Sequence, residues 1–138
     1  MPKQFTLGKN ERLKSRKLIE ELFSKGQRFG LFPYRVFYLL NKTGHQYIKS
    51  KLQCGVGVST KNFKKAVDRN RIKRVTREAY RLQKAALDLQ MKDHPHSLLI
   101  FLIYTGKELP AFTVVKEKVE LILQKLITIA NENTPANT

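Results

Sequence analysis

Residues 65–81 read Lys65-Ala66-Val67-Asp68-Arg69-Asn70-Arg71-Ile72-Lys73-Arg74-Val75-Thr76-Arg77-Glu78-Ala79-Tyr80-Arg81, and the way this run winds decides how the rest of the chain must pack. At about 100° per residue, Ile72, Val75, Ala79, Leu82 and Ala86 cluster within roughly 80° of one another. Arg69, Lys73, Arg74, Arg77 and Arg81 fall on the opposite side, with Asn70 among them. One face is therefore predicted to seal a core while the other presents cations. Nine basic residues and two acids, Asp68 and Glu78, lie between positions 61 and 81. Like charges four apart, such as Arg69 with Lys73, each cost an isolated helix about 0.2–0.5 kcal/mol. A phosphate backbone would relieve that repulsion and convert it into affinity.

The pattern continues outward from this helix, which is expected over 66–87. Upstream, Ser15 can cap a helix over 15–25 whose apolar stripe is Leu18, Ile19, Leu22 and Phe23. Gly26 is expected to end it in the left-handed conformation that a Cβ resists. A strand is predicted over 34–40, a turn over 41–44, and then a half-buried strand with Leu52, Cys54, Val56 and Val58 at period two, paired with the one before. Short extra strands could hide in 27–33 or 47–51. Downstream, 97–104 has the length and β-branching of a strand covered on both faces. Gly106 and Pro110 break the chain. Val115, Val119, Ile122, Leu126 and Ile129 then mark an amphipathic helix over 113–130. This order predicts a small mixed sheet packed with helices, α+β or α/β. Residues 1–130 are expected to form one domain, with the first nine or so loosely held and 131–138 a disordered tail.

The chain has 138 residues, 27 Lys and Arg against 11 Asp and Glu, and a net charge of +16. A domain this basic repels itself unless a polyanion neutralises it, which means nucleic acid or an anionic membrane surface. No stretch approaches the roughly 18 apolar residues of a spanning helix, and residues 1–10 do not read as a signal peptide. The single Cys54 excludes an internal disulfide and a multi-cysteine zinc cage. It is expected to be a buried small side chain, and a reducing cytoplasm suits it.

The cationic face favours arginine. Guanidinium binds phosphate through paired hydrogen bonds and stacks on bases, whereas ammonium acts as a point charge. Asn70 adds an amide that can read a base edge or a ribose hydroxyl. The same helix could be a merely solvated charged face, or could lie in a DNA major groove. Enzyme chemistry is poorly represented. His94-Pro95-His96 lacks neighbouring ligands and reads as a polar turn, and no carboxylate pair shares a credible face.

Lys65-Ala66-Val67-Asp68-Arg69-Asn70-Arg71-Ile72-Lys73-Arg74 followed by Arg77-Glu78-Ala79-Tyr80-Arg81 resembles the signature of the bacterial ribonuclease P protein component family. The flanks agree: Arg12-Leu13-Lys14, Phe23 with Gly26, and Gly55-Val56-Gly57-Val58-Ser59 leading to Lys61. The resemblance spans about Phe5 to Lys125. It implies an α+β fold of order α-β-β-(β)-α-β-α with a left-handed βαβ crossover, against the usual hand. It also implies a protein subunit, monomeric on its own, that pairs with a catalytic RNA removing the 5′ leader of precursor tRNA, with Mg2+ held mainly by that RNA. Carried over by position, Lys61, Lys65, Arg69, Asn70, Arg71, Lys73, Arg74 and Arg77 would contact the RNA subunit. Ile19, Phe23, Arg35 and Phe37 would line a leader cleft between the first helix and the sheet. Ile19 departs from the aromatic that the family often carries there, and ordinary core is the alternative reading of Phe23 and Phe37. The resemblance implies no protein-held catalytic residue or metal. A ribosomal or chaperone-type RNA-binding protein, or a DNA-binding regulator, are the other readings of the same helix.

Overall fold

The computed structural model describes residues 11–42, 50–94 and 96–132. The expected loose N-terminal residues, and positions 133–138 of the expected tail, lie outside them.

Helix α1 spans Arg16–Lys25, and Ser15 Oγ accepts from the Leu18 N–H at 3.4 Å. Its end corrects the expectation for Gly26, which is extended at φ −76° and ψ 171°. Glycine is required there by crowding. A Cβ would lie 2.4 Å from the Leu22 carbonyl oxygen and 2.8 Å from that of Tyr38.

Strand β1, Gln27–Leu31, forms a hairpin with β2, Tyr34–Lys42. Asn41 and Lys42 thus belong to a strand rather than the expected turn, because β4 offers them Ser97 and His96 as partners. Residues 43 and 44 of that turn, and 47–49 of the possible extra strand, lie outside the described residues. Strand β3, Leu52–Val58, is followed by α2, Ala66–Gln83, α3, Ala85–Lys92, β4, His96–Tyr104, and α4, Phe112–Glu132. Helix α4 therefore takes in Asn131 and Glu132, which had been expected in the tail.

The sheet order is β1-β2-β4-β3, with β3 parallel to β4 and the other pairings antiparallel. The expected pairing of the Leu52–Val58 strand with its predecessor is overturned. Strand β4 inserts between them because its Leu98–Ile103 run is apolar on both faces and so gains most from the centre. Strand β3 carries Gln53, Gly55 and Gly57 on one face and suits an edge. Parallel neighbours need a long crossover, and α2 with α3 supplies it.

Alternation along the strands splits the core in two. Val36, Cys54, Ile100, Leu102 and Tyr104 pack beneath α2, α3 and α4. Leu99 packs on the other face with Leu13, Leu18 and Leu22, and Phe37, Leu39 and Phe101 border that cluster. The buried stripe of α2 is Ile72, Thr76, Ala79 and Tyr80, rotated from the expected one. Leu82 is only half-buried and Ala86 is exposed. The rotation is fixed by contacts that a wheel cannot register: the Thr76 hydroxyl meets the Tyr34 hydroxyl at 2.7 Å in the interior, and Tyr80 buries a large ring.

The single helix expected over 66–87 is two helices joined at Lys84. This residue keeps right-handed helical angles, and its carbonyl still accepts from the Asp88 N–H at 2.8 Å. Its side chain is 3% exposed and its ammonium reaches Glu11 at 2.5 Å and Asp88 at 2.8 Å. Next to Glu11, Arg12 pairs with Cys54, and the Leu13 N–H donates to the Cys54 carbonyl at 3.1 Å. The segment before α1 thereby lies along the free edge of β3.

Burial pushes the Cys54 thiol up to about 12 from an ordinary 9.0, with Arg77 offsetting only part of that. The unfolded chain therefore releases this proton first. The thiol's contribution to stability is whole below the ordinary value and is lost as pH climbs from there toward about 12. Denaturant midpoints measured across that window should fall more steeply for the natural protein than for Cys54→Ala. Equal slopes would mean that the thiol is accessible to water.

Candidate nucleic-acid interface

Helix α2 presents its cations in two ranks. Asn70, Arg71 and Arg74 are exposed, as are Lys61 and Lys65 before the helix; Arg69, Lys73 and Arg77 are half-buried along the border with the core. Lys65 sits at the N-cap position without a side-chain cap hydrogen bond. Asn70, Arg71, Arg74 and Arg77 line one shallow groove together with Val67 and Asp68. Among the described residues no ion pair holds Arg71, Arg74 or Arg77. Glu78, on the same helix, is taken by Arg81 at 2.5 Å. The Arg81 hydrogen bond draws its carboxyl below the usual range.

Arg69 has a different job from its neighbours. Its guanidinium donates to the carbonyls of Phe63 at 2.9 Å and Lys64 at 2.8 Å, fastening the loop before α2 to the helix. Asn62 secures the far side of that loop by donating to the Thr105 and Gly106 carbonyls at 3.1 and 3.3 Å. The loop that carries Lys61, Lys64 and Lys65 is thus held in place, which lowers the entropy that a bound polyanion would have to remove.

On the opposite face of the sheet, three rings meet at the rim of α1. Phe23 lies edge-on to Phe37 with centroids 4.8 Å apart and to Phe101 at 5.3 Å. Phe37 and Phe101 are register partners on β2 and β4. Phe23 remains 44% exposed, so the cluster is open to solvent and is not sealed core. Ile19 packs into the same group. Arg35 stands exposed one rung along, opposite Ile103. The structure therefore brings Ile19, Phe23 and Phe37 together and sets Arg35 beside them.

Phe101 is the member that sequence reasoning missed. It sat inside an apolar run read as a strand covered on both faces, so nothing marked one of its residues as open. The usable signal lay elsewhere, in Gly55 and Gly57. A Cβ at either position would come within 2.8 and 2.9 Å of the Phe101 ring. Alternate glycines on an edge strand announce that a large side chain lies across it.

The two regions are joined by β3. Cys54 and Val56 point beneath α2, while Gly55 and Gly57 floor the aromatic cleft. Arg12 runs along the edge between them.

The donor sets offer little to a metal. Among the described residues no three His, Cys, Asp or Glu side chains gather around one point. His94 uses both ring nitrogens: Nε2 donates to the Ala130 carbonyl at 3.0 Å and Nδ1 accepts from the His96 N–H at 3.0 Å. No helix of the described residues is long and apolar enough to cross a membrane.

Comparison with known proteins gives these surfaces a context. A family profile described as Ribonuclease P matches residues 7–127. The ribonuclease P protein component of Porphyromonas gingivalis is 37% identical over 136 residues, covering 99% of this chain and 94% of that one. The solved RNase P protein from Thermotoga maritima superposes with a TM-score of 0.63 at 27% identity, covering 83% of this chain and 96% of that chain. That of Staphylococcus aureus shares the fold, with a TM-score of 0.63 over 84% of this chain and 94% of that one. A profile match over most of the chain, joined to full-length identity at this level, leaves one assignment: the chain belongs to the bacterial ribonuclease P protein component family.

Proposed function

We propose that the chain is the non-catalytic protein subunit of a ribonuclease P ribonucleoprotein that removes the 5′ leader of precursor tRNA, working as a monomer in the cytoplasm. The observation that carries this reading is a strip of arginines that no ion pair among the described residues engages, and an open aromatic cleft, on the two sides of one edge strand. Arg71, Arg74 and Arg77, with Asn70, Lys73, Lys61 and Lys65, grip the phosphates of the RNA subunit through charge-assisted hydrogen bonds. Arg69 positions the loop that delivers the lysines. Phe23, Phe37 and Phe101, backed by Ile19, offer ring faces and edges to unpaired leader bases, while Arg35 holds the strand's phosphates.

Among the described residues no three His, Cys, Asp or Glu side chains gather to hold a magnesium ion, and no step is routed through a metal held by the protein. Mg2+ for phosphodiester hydrolysis is assigned to the RNA, whose own phosphates are the hard oxygen ligands that ion prefers. What the protein supplies is positive charge where two RNA backbones converge.

Reconstitution with a bacterial ribonuclease P RNA and a leader-bearing precursor at low magnesium tests the reading. Leader removal should exceed that of RNA alone; no increase would overturn the proposal, and cleavage by the protein alone would overturn its non-catalytic part. A finer test is Phe37→Leu, which keeps apolar bulk but removes the ring. Affinity for precursor should drop about 5- to 150-fold, the equivalent of one lost stacked base at roughly 1–3 kcal/mol. Affinity for mature tRNA should hold. Equal losses for both substrates would make Phe37 a core residue only.

A further inference from the structure

A second exposed aromatic lies at the end of the sheet, outside the cleft. Phe32, in the turn between β1 and β2, is 76% exposed. It borders a recess of about 510 Å³ whose walls include Pro33, Leu109 and Val114 and whose rim carries Lys107 and Lys118. That volume is in the range of sites that enclose small planar groups. Leu109 and Val114 are also largely exposed, at 44% and 46%, so an apolar surface is left wet in a region with no evident folding use for it.

The recess is built rather than loose. The Thr105 N–H and hydroxyl both donate to the Pro33 carbonyl, at 2.7 and 3.0 Å, which fixes the turn bearing Phe32 against the end of β4. The Tyr104 hydroxyl donates to the Glu108 carbonyl at 2.7 Å and shapes the opposite wall. Gly106 makes room for that contact, since a Cβ there would lie 2.5 Å from the Tyr104 hydroxyl oxygen. Glu108 is the single acid lining the recess against two lysines, and the first turn of α4 has none. A cationic rim on a chain of net charge +16 complements a polyanion rather than an ordinary protein surface.

Position along the sheet identifies the polyanion. From the Phe37–Phe101 rung, the next rung on the same face is Arg35 with Ile103, and the strands then end at Tyr34 and Tyr104. The recess lies just past that end, with one wall from α4 on the other face, so a chain leaving the cleft reaches it by turning over the end of the sheet. Four residues of strand span about 13 Å, a distance that a few nucleotides of single-stranded RNA cover. Resting on the function proposed above, we infer that the recess is a second single-stranded RNA site for the same leader. One unpaired base stacks on Phe32, and Lys107 and Lys118 hold the adjoining phosphates, with Arg35 guiding the strand from the cleft.

Single abasic substitutions along the leader of a precursor tRNA, bound to the reconstituted holoenzyme, provide the test. In the natural protein each stacked position should lose about tenfold in affinity when its base is removed. One position should lose its effect in Phe37→Leu. A different position, at least one nucleotide away, should lose its effect in Phe32→Ala and recover it in Phe32→Tyr. Phe32 is exposed, so the alanine variant should fold normally, and an unchanged melting temperature checks this. If positions couple to Phe37 but none to Phe32, the recess inference is overturned and the cleft reading stands. If no leader position matters in the natural protein, the leader-binding reading itself fails. An equal loss of RNA-subunit affinity whatever the leader would assign Phe32 to the RNA subunit, and a change in sedimenting mass would assign it to self-association; either result overturns the inference.

Discussion

Replacing Arg71 and Arg74 together by alanine is expected to weaken assembly with the ribonuclease P RNA about a hundredfold or more, without weakening the fold. Both guanidiniums are exposed, and no ion pair among the described residues engages them. A hydrogen bond to a charged group is worth about 1.5–3 kcal/mol, so two such bonds exceed the roughly 2.7 kcal/mol that a hundredfold change represents. The dependence of log affinity on log salt should flatten by about 1.5–2 units, near one for each phosphate contact removed. The melting temperature should stay level or rise slightly. Arg71 and Arg74 repel each other across one turn, as do Arg74 and Arg77, and alanine removes that repulsion while favouring helix. Lower RNA affinity combined with undiminished stability distinguishes a binding surface from a structural one. If the salt slope were unchanged, those side chains would not meet phosphate. Arg69→Ala should behave differently and lose stability, because its bonds to the Phe63 and Lys64 carbonyls go with it.

The second large effect concerns the fold. Gly26→Ala is expected to destabilise the protein by about 2–4 kcal/mol, a cost at and somewhat above the ordinary range for overpacking. The new methyl would meet two backbone carbonyl oxygens, of Leu22 and Tyr38, and neither can rotate away as a side chain would. Helix α1 would have to lift from β2, which pulls Phe23 away from Phe37 and Phe101. Thermal unfolding should come about 10 °C earlier. Gly30→Ala is the control, since a Cβ there meets nothing within 4 Å. Removing glycine's freedom from the unfolded chain should stabilise that variant by a few tenths to about 1 kcal/mol. Similar outcomes at the two positions would refute the crowding argument, since both residues have ordinary backbone angles and differ in their surroundings.

Much of the architecture was legible in one dimension. Period-two and helical spacing located α1, β2, β3, β4 and α4 to within a few residues, because burial of one face demands that spacing. What failed did so for identifiable reasons. Gly26 was read through its local conformational freedom, but its constraint comes from crowding between the Leu22 carbonyl of its own helix and that of Tyr38, the latter twelve residues away in sequence and adjacent only after folding. The wheel of α2 counted aliphatic residues and passed over Thr76 and Tyr80, whose hydroxyl-bearing side chains are buried by partners on β2 and in the core. One helix became two at Lys84, whose ammonium is held by Glu11 from the far end of the chain. Phe101 stayed hidden because a central strand shows apolar residues on both faces, and sequence alone does not tell which part of a face α1 leaves uncovered.

The chain's order of residues determined on its own the charge of the surface, the helix that bears it and the family to which the protein belongs, since each is written in composition, local periodicity or contiguous motif. Tertiary structure alone decided that β4 separates β2 from β3, that Arg69 braces a loop while Arg71 and Arg74 stay open, and that Phe101 joins Phe23 and Phe37 over a pair of glycines. Those outcomes depend on contacts between residues far apart in the chain, whose energies are settled only when the elements compete for the same buried space.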